Sequence, residues 1–400
     1  MSSASTNEAD AVVLVDGART AIGTFAGSLS GIPTHALGAA AISEAIRRAG
    51  VRPDDVDEVI LGCVGQVGPE AFNARLAALA AGLPVSTTAY NVNRLCGSGL
   101  QALWNAVTEI RTKEATVVVA GGNENMSGQP FLDYDARKGN RLGDRTLRDG
   151  TLSLVTDPWG NYPMGVTAEA VAEKYHVSRQ DQDEFALLSQ QRAARAIEDG
   201  TFASQIVGVP VRERKSERIF DVDEHPRPGS TIEKLNALKP AFVENGSVTA
   251  GNSSGINDGA AATVLMTEEE ARARGLSPKA RFVAFAKAAL EPKLMGYAPV
   301  AAIERVLSAA RLSLSDVGVV ELNEAFAAQA VAVIRDAKLD PEIVNPNGGA
   351  IALGHPVGAT GAMLAIKLVY EMHRRGAEWG LVTMCIGGGQ AVAGVFQALA

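Results

Sequence analysis

The chain has few cysteines, few aromatic residues and no excess of positive charge. Its three cysteines, Cys63, Cys96 and Cys385, lie far apart and include no CxxC pair and no nearby histidine at metal-ligand spacing. This pattern argues against a disulfide framework and against a zinc site. The net charge of −8 argues against a general surface for nucleic acid or membrane, because phosphate groups require a basic face.

Long apolar runs and targeting signals are also missing. No stretch of about 18 uncharged apolar residues occurs, so no membrane span is predicted. The first ten residues, MSSASTNEAD, lack the basic and apolar regions of a signal peptide and the arginines of a transit peptide. We therefore expect a disordered N-terminal tail on a soluble, cytoplasmic protein that binds neither nucleic acid nor membrane.

The composition and the first elements indicate a large α/β protein. Its 400 residues exceed the roughly 250 to 300 residues at which one hydrophobic core stops growing, so two or more domains are expected. Branched apolar runs at residues 12–15 and 58–61 read as strands, and residues 37–49 between them show helical spacing. Alternating strands and helices are typical of an α/β fold.

An internal repeat links two distant parts of the chain. AGVRPDDVDEVILG at residues 49–62 lies over ARLSLSDVGVVELN at residues 310–323, an offset of 261. The same offset places Cys96 on Val357, two residues from His355. If the chain is duplicated, two helix N-termini face one cleft. A coincidence of apolar patterns is the alternative.

The region between the two copies, residues 129–257, reads as an insertion with little sheet. It contains a long polar helix that begins at Ser178, with Asp181 three residues on. Its later part concentrates basic residues, namely Arg212, Arg214, Lys215, Arg218, Arg227, Lys234 and Lys239. Such a run is either a solvated charged surface or a docking surface for phosphates.

Cys96 is the best candidate for a nucleophile. It lies in NRLCGSGLQA, where glycines allow a tight turn before a helix begins. A helix N-terminus stabilises an anion, and a thiolate placed there can titrate well below its free value of about 8.5. The alternative is a small buried apolar residue, but the polar flank and the Gly-Ser-Gly turn favour the reactive one.

Two further residues in glycine-rich loops suggest proton transfer. His355 lies in NGGAIALGHPVGATGA, and so many glycines indicate a loop that closely approaches another group. Cys385 precedes Ile386 and then three consecutive glycines at a strand end, which favours a role in proton transfer over a disulfide. We assign Cys63 and the other histidines to structure: His35, His176, His225 and His373.

Five segments together resemble the thiolase family in order and spacing. They are NRLCGSGLQA, SVTAGNSSGINDGAAA, NEAF, NGGAIALGHPVGATGA and CIGGG, and the resemblance runs from about Val12 to the C-terminus. It implies an α/β five-layer αβαβα sandwich of two duplicated halves with an inserted loop domain. The expected boundaries are 1–128 plus 258–278 for the N-terminal half, 129–257 for the loop domain and 279–400 for the C-terminal half.

The resemblance also implies catalytic roles. Cys96 would carry the acyl group, and His355 would accept its proton. Cys385 would move the proton of the α-carbon. Asn323 of NEAF would hold a water that forms one oxyanion hole with His355, and the backbone N–H groups of Cys96 and Gly387 would form the other.

For CoA, the resemblance suggests contacts with Arg227, Ser254, Met164 and Phe326. CoA and acyl-CoA would be substrates, with no permanently bound cofactor and no metal. The family suggests a homotetramer built as a dimer of dimers, with the segment after Met126 as a candidate contact.

Departures from the family pattern concern the substrate. Thiolases acting on acetoacetyl-CoA usually have His-Met-Gly where this chain has PMG at residues 163–165, and GGNENMSG differs from the more usual GGMESMS at Asn123 and Asn125. The activity expected is an acyltransferase that cleaves or forms 3-ketoacyl-CoA. The alternatives are a decarboxylating condensing synthase, which uses two histidines, and a catalytically silent CoA- or lipid-binding protein of the same fold.

Overall fold

The computed structural model describes residues 11–139, 141–213 and 216–399. The expected N-terminal tail and the basic residues Arg214 and Lys215 lie outside these ranges. The strands are β1 Val12–Thr20, β2 Gly23–Thr24, β3 Glu58–Gly62, β4 Thr88–Val92, β5 Val118–Asn125, β6 Phe131–Leu132, β7 Arg148–Asp149, β8 Ile206–Val207, β9 Val209–Glu213, β10 Ser216–Phe220, β11 Asn257–Thr267, β12 Ala280–Ala289, β13 Val317–Leu322, β14 Trp379–Ile386 and β15 Gln390–Ala398. The helices are α1 Thr34–Ala49, α2 Asn73–Ala80, α3 Ser98–Thr112, α4 Gly150–Leu154, α5 Gly165–Lys174, α6 Arg179–Glu198, α7 Ile232–Asn236, α8 Glu268–Ala273, α9 Pro299–Ala310, α10 Ala327–Asp336, α11 Ala350–Leu353 and α12 Thr360–Arg375.

The main sheet consists of two similar halves joined edge to edge. Its order is β13-β14-β15-β12-β1-β11-β5-β3-β4, with β2 and β8 as short additions. In each half a parallel pair, β3–β5 or β13–β14, continues into antiparallel strands. The halves meet where β1 pairs antiparallel with β12, through Val13↔Arg281 and Leu14↔Ala280. Each half-sheet is therefore continuous with the other along a short seam.

Alternation of side chains along the strands produces five layers. On β3, Val59 and Leu61 face an outer core shared with α1 and α2, whereas Ile60 faces the inner core that contains α3 and α12. The C-terminal half repeats this arrangement, because α9 and α10 cover its outer face. The predicted αβαβα sandwich is confirmed, with α3 and α12 as the central layer.

The repeat read from the sequence is present in three dimensions. A shift of 261 residues carries β5 onto β14 and the short helix Pro53–Asp55 onto Leu314–Asp316. It also carries the first residue of α3 to within one residue of the start of α12. The similarity of apolar patterns therefore reflects two copies of one topology.

Glycines allow the two central helices to touch near their N-termini. A methyl group at Gly99 of α3 would lie 2.7 Å from the backbone nitrogen of Ala362 on α12. A methyl group at Gly361 would likewise collide with Leu100. Only residues without a side chain permit this approach, and it brings the loops that precede both helices together.

The region between the two copies packs on the N-terminal half through a buried ion pair. Arg19 of β1 donates to both carboxylate oxygens of Asp223, at 2.8 and 2.9 Å, and both side chains are buried. The predicted long helix is present as α6, and Ser178 and Asp181 form the expected capping box. The domain boundaries given above stay a prediction.

Candidate active site

Cys96 occupies a strained turn between β4 and α3. The preceding residue, Leu95, has φ of 48°, a left-handed conformation that a leucine rarely adopts. Ser98, the first residue of α3, fixes this turn because its hydroxyl accepts the N–H of Arg94 at 2.9 Å and donates to the carbonyl of Leu95 at 2.6 Å. The turn presents Cys96 beside the start of the helix.

The surroundings of Cys96 raise the pKa of its thiol rather than lower it. Burial is the main cause and raises the pKa to about 11, and the backbone N–H groups of Gly387 and of Cys96 itself oppose it by bonding the thiolate. The expectation of a depressed pKa is wrong for the unliganded protein, because desolvation outweighs these donors. Cys96 is a neutral thiol at rest and requires a base.

His355 is held as a neutral imidazole with its Nε2 lone pair available. Its Nδ1 lies 2.6 Å from the Oγ1 of Thr360, and that hydroxyl donates to the carbonyl of Pro356 at 2.8 Å. Because the threonine proton is already used, Nδ1 must carry the ring proton and Nε2 must be unprotonated. Burial lowers the pKa of His355 to about 4, so the ring is neutral near pH 7.

The backbone of His355 is held from the N-terminal half. Its N–H donates to the Oδ1 of buried Asn257 at 2.9 Å, and the amide nitrogen of Asn257 donates to the carbonyl of Gly23. Two residues after His355, Val357 belongs to a small apolar cluster against which Cys96 packs. The repeat-related loops therefore meet at one place, as the sequence predicted.

Asn323 directs an unsatisfied oxygen into the same region. The residue follows β13, and its backbone N–H donates to the carbonyl of Thr383 at 3.0 Å. Its Nδ2 lies 3.4 Å from the Nε2 of His355. Its buried Oδ1 has no partner in the described part of the chain. An orphaned buried carbonyl oxygen of this kind is suited to accept a hydrogen bond from a water.

Cys385 and Gly387 complete the cluster at the end of β14. Burial raises the pKa of Cys385, and the nearby Cys96 raises it further, so both thiols are neutral at rest. A methyl group at Gly387 would lie 3.2 Å from the Cε of Met164 and 3.3 Å from Leu95. The backbone N–H of Gly387 bonds the Cys96 sulfur.

Three of the four expected CoA residues lie near Cys385. Met164 and Phe326 pack in one apolar cluster with Cys385 and Phe242, and the two phenylalanine rings meet edge to face at 6.1 Å. Ser254 joins this group because its N–H donates to the carbonyl of Ala325 at 3.0 Å. The cluster forms an apolar wall with a few polar groups, as ligand sites commonly do.

Arg227, the fourth, lies outside that cluster on an exposed loop. Its backbone N–H donates to Gln190 at 2.8 Å, while its charge lowers the pKa of His225. The ring of His225 in turn lies against Gly255, beside Ser254. Among the interactions described, the link from Arg227 to the wall is its charge acting on His225.

Several neighbours of these residues were not anticipated. They are Thr360 and Asn257, which hold His355, Phe242 in the apolar wall, and the buried carboxylate of Glu124. Thr360 and Asn257 fall inside the glycine-rich motifs, but their contacts join residues far apart in the chain. No local signal marks Phe242 or Glu124.

The two unusual asparagines do not face the cluster. Asn123 donates to the carbonyl of Thr34 at 2.7 Å, and Asn125 donates to the carbonyl of Ile32 at 2.6 Å. Asn125 also accepts the N–H of Gly128. Both side chains therefore support the loop before α1 and touch none of the candidate catalytic residues in the contacts described.

Two absences hold for residues 11–139, 141–213 and 216–399. No group of three or more histidine, cysteine, aspartate or glutamate side chains is arranged to hold a metal ion. No described helix is long and apolar enough to cross a membrane.

Two neutral thiols, a neutral histidine and an unsatisfied asparagine oxygen gathered in one region are typical of acyl transfer through a protein thioester. Family profiles described as "Thiolase, N-terminal domain" and "Thiolase, C-terminal domain" match residues 12–269 and 276–398. The chain therefore belongs to the thiolase family, whose members are acyltransferases.

Individual relatives agree with this assignment. The "Beta-ketothiolase BktB" of Cupriavidus necator is 50% identical over 96% of this chain and 98% of its own length. The "Acetyl-CoA acetyltransferase" of Pseudomonas aeruginosa is also 50% identical, over 96% and 98%.

Solved structures show the same fold. The acetyl-CoA acetyltransferase of Bacillus anthracis matches with a TM-score of 0.96 and 46% identity over 97% of this chain and 99% of that one. Human mitochondrial 3-ketoacyl-CoA thiolase in complex with CoA matches with a TM-score of 0.94 and 41% identity, covering 98% of each chain.

Proposed function

We propose that the protein catalyses CoA-dependent cleavage of 3-ketoacyl-CoA, and the reverse Claisen condensation, through an acyl group on Cys96. The observation that carries this proposal is the neutral His355, whose unprotonated Nε2 makes a long contact of 3.4 Å with the Nδ2 of Asn323 and lies in a cluster with two protonated thiols. A thiol that is neutral at rest is activated by a base of this kind.

In cleavage, the proton of the Cys96 thiol passes to His355 as the sulfur attacks the 3-keto carbon. The resulting oxyanion is stabilised by the backbone N–H groups of Cys96 and Gly387, each worth about 3 kcal/mol at such a site. The bond between C2 and C3 then breaks, and its electrons form the enolate of acetyl-CoA. Protonated His355 and a water on Asn323 stabilise the enolate oxygen, and Cys385 gives its proton to the α-carbon.

The second half restores the enzyme. The thiol of an incoming CoA loses its proton to the Cys385 thiolate and attacks the acyl group on Cys96. The Cys96 sulfur leaves, and it regains the proton from His355. The enzyme groups therefore return to their starting protonation states, the thiol proton of CoA replaces the one that Cys385 gave to the α-carbon, and the products are acetyl-CoA and a shortened acyl-CoA.

Kinetics test this order of events. Because the acyl group stays on Cys96 while acetyl-CoA leaves, thiolysis should be ping-pong and give parallel double-reciprocal lines. Intersecting lines would contradict a free acyl-enzyme. The two alternatives are less well supported: a two-histidine synthase would need histidine where Cys385 stands, and a silent binding protein has no use for two clustered thiols.

For CoA itself, we propose that Met164, Phe326 and Ser254 line the pantetheine arm and that Arg227 approaches the phosphates. Support comes from the apolar wall that continues from Cys385 and from a relative whose structure contains CoA. Arg227→Gln should raise the KM for CoA with little change in kcat, because the lost charge contact is present in both ground and transition states. Lys239→Gln, on the exposed surface of the same region, is the matched control.

For the acyl chain of the substrate, we infer tolerance of groups longer than four carbons. Pro163 pairs with Thr156 in an isolated bridge beside Met164 and offers no side-chain donor. Each added CH₂ contributes only about 0.8 kcal/mol, so the preference should be several-fold for each added pair of carbons. The test is kcat/KM for four- to ten-carbon 3-ketoacyl-CoA in wild type and Pro163→His. A wild-type preference for four carbons that the variant leaves unchanged would contradict it.

We further propose a cytoplasmic homotetramer that acts in fatty acid metabolism. Exposed apolar side chains are concentrated in the segment after Met126, where Phe131 is 65% exposed and Leu142 is 94% exposed. Light scattering should show a smaller assembly for Leu142→Lys. The control is Ile219→Lys, another exposed apolar position on β10.

A further inference from the structure

Glu124 is a buried carboxylate at the end of β5 that the mechanism above does not use. It is 0% exposed. Its Oε2 accepts the N–H of Val64 at 3.0 Å and of Gly358 at 2.9 Å, while its Oε1 accepts the N–H of Gly65 at 2.9 Å. The thiol of Cys63 approaches Oε1 at 3.8 Å. One carboxylate thus gathers four donors from two loops.

These two loops belong to different halves of the molecule. Val64 and Gly65 follow β3 in the N-terminal half, whereas Gly358 follows His355 by three residues in the C-terminal half. The loop of His355 is therefore held at both ends from the N-terminal half, by Asn257 at His355 itself and by Glu124 at Gly358.

Gly358 is tightly packed on two sides. A methyl group on Gly358 would lie 2.6 Å from the Oε2 of Glu124. On the other side, its carbonyl oxygen lies 2.7 Å from where a methyl group on Gly62 would stand and 3.0 Å from one on Gly99. Loss of the carboxylate would remove the hydrogen bond that holds the N–H of Gly358.

Glu124 also acts electrostatically on the nucleophile. Burial is the main cause of the raised pKa of both Cys96 and Cys63, and the charge of Glu124 raises the pKa of each thiol further. Burial raises the pKa of Glu124 to about 7, against the three backbone N–H groups that lower it. At pH 8 the carboxylate is therefore mostly ionised.

We propose that Glu124 is a positioning residue for acyl transfer: it holds the Gly358 end of the His355 loop in register, and its charge adds to the burial that keeps Cys96 a neutral thiol before substrate binds. This inference rests on the proposed function. The role is positional because Glu124 touches neither His355 nor the reacting atoms, and it acts through Gly358 and through its field at Cys96.

Two substitutions separate the geometric effect from the electrostatic effect. Glu124→Gln removes the charge and turns one acceptor into a donor that faces an N–H group. Glu124→Asp keeps the charge but shortens the reach to Gly358. We expect kcat/KM for thiolysis at pH 8 to fall about 10- to 100-fold in both, the scale expected when one buried hydrogen bond is lost.

The second measurement is the pH dependence of iodoacetamide labelling at Cys96, read by mass spectrometry of its peptide. In Glu124→Gln the midpoint should move to lower pH, with labelling about threefold faster at pH 8, because a nearby negative charge has gone. In Glu124→Asp the midpoint should stay where it is in wild type. A change in accessibility alone would alter the plateau of labelling and leave the midpoint in place.

Two controls accompany these variants. Glu70→Gln also withdraws a negative charge that acts on Cys63, and Cys63→Ala removes only the weakest of the four donors. Both should keep kcat/KM within about twofold of wild type, because they leave the contact to Gly358 intact.

The proposal is overturned if both Glu124 variants keep wild-type kcat/KM, or if the labelling midpoint in Glu124→Gln equals that of wild type. If Glu124→Gln does not fold, Glu124→Asp still tests the contact with Gly358, and an unchanged kcat/KM there would overturn the positioning role. Labelling requires no turnover, so an inactive wild type would count against the proposed function while the midpoint shift still tests Glu124.

Discussion

The two halves of the molecule carry the same pair of side-chain types at equivalent strand ends, in opposite order. In the N-terminal half, a cysteine follows β3 and a glutamate ends β5, as Cys63 and Glu124. A shift of 261 residues leads to a glutamate after β13 and a cysteine on β14, as Glu324 and Cys385. Each half of the molecule therefore has one carboxyl group and one thiol at these equivalent strand ends.

The surroundings give the two pairs different properties. Cys63 donates to Glu124, and the remaining carboxylate positions are filled by backbone N–H groups. Glu324 is likewise satisfied, by Ser189, Asn345 and the N–H of Ile351, but the Cys385 thiol makes no hydrogen bond to another side chain among the described residues. The N-terminal pair is closed and structural, whereas the C-terminal pair leaves a thiol free next to Cys96. Reactivity depends on what the neighbours leave unsatisfied.

The largest expected effect comes from the nucleophile. Cys96→Ser should lower thiolysis more than about 10⁴-fold, because a serine hydroxyl beside one histidine is a far weaker nucleophile than a thiolate. After mixing with acetyl-CoA, mass spectrometry of the wild type should find an acetyl group on the peptide that contains Cys96. An adduct on Cys385 or Cys63 instead would overturn the assignment of Cys96 as the nucleophile.

Removal of the free thiol of the C-terminal pair should separate the two half-reactions. Cys385→Ala should reduce overall thiolysis about 10³-fold by removing the acid/base group, yet still form the acyl-enzyme from acetyl-CoA. The measurements are burst acylation and exchange of α-protons into deuterated water. Equal loss of acylation and exchange would mean that Cys385 acts before the acyl-enzyme forms or only supports the loop.

Thr360, at the start of α12, tests how the histidine of the C-terminal half is held. Thr360→Val leaves the buried Nδ1–H of His355 without its acceptor, which costs about 1 to 3 kcal/mol and should lower kcat/KM about 10- to 100-fold. Thr360→Ser restores a hydroxyl and should recover most of the activity. Equal activities of the valine and serine variants would show that the hydrogen bond to Nδ1 does not matter.

The smallest effect is expected at the closed pair. Cys63→Ala should change kcat/KM by less than about twofold, and should cost about 1 kcal/mol of unfolding free energy through lost packing. Cys63 should also resist iodoacetamide, because burial and the charges of Glu124 and Glu70 raise the pKa of its thiol. Thermal unfolding and peptide mapping check both points. A large loss of activity would contradict the structural role of Cys63 and its distinction from the reactive Cys385.

Much of the fold could be predicted because its signals are local. The repeat between residues 49–62 and 310–323 is visible in the sequence, since each copy contains the end of a helix, a turn and the start of a strand. The long helix α6 was readable from its cap and its polar spacing. What no local pattern shows is the seam between β1 and β12, because pairing of strands nearly 270 residues apart depends on how the two halves pack.

For the site, the sequence by itself determined which residue types are available and which loops can approach one another. Reactive side chains flanked by glycine mark Cys96, His355 and Cys385, since close backbone approach needs glycine wherever it occurs. Their assembly into one cluster followed from the repeat.

The tertiary structure alone decided the protonation states and the supports. Cys96 is a neutral thiol because burial outweighs the donors at its helix N-terminus, the reverse of what the local motif suggested. The tautomer of His355 depends on the hydroxyl of Thr360, and the contact of Glu124 with Gly358 joins residues 234 positions apart. Desolvation and hydrogen-bond satisfaction are properties of the packed interior, and they arise only when distant segments meet.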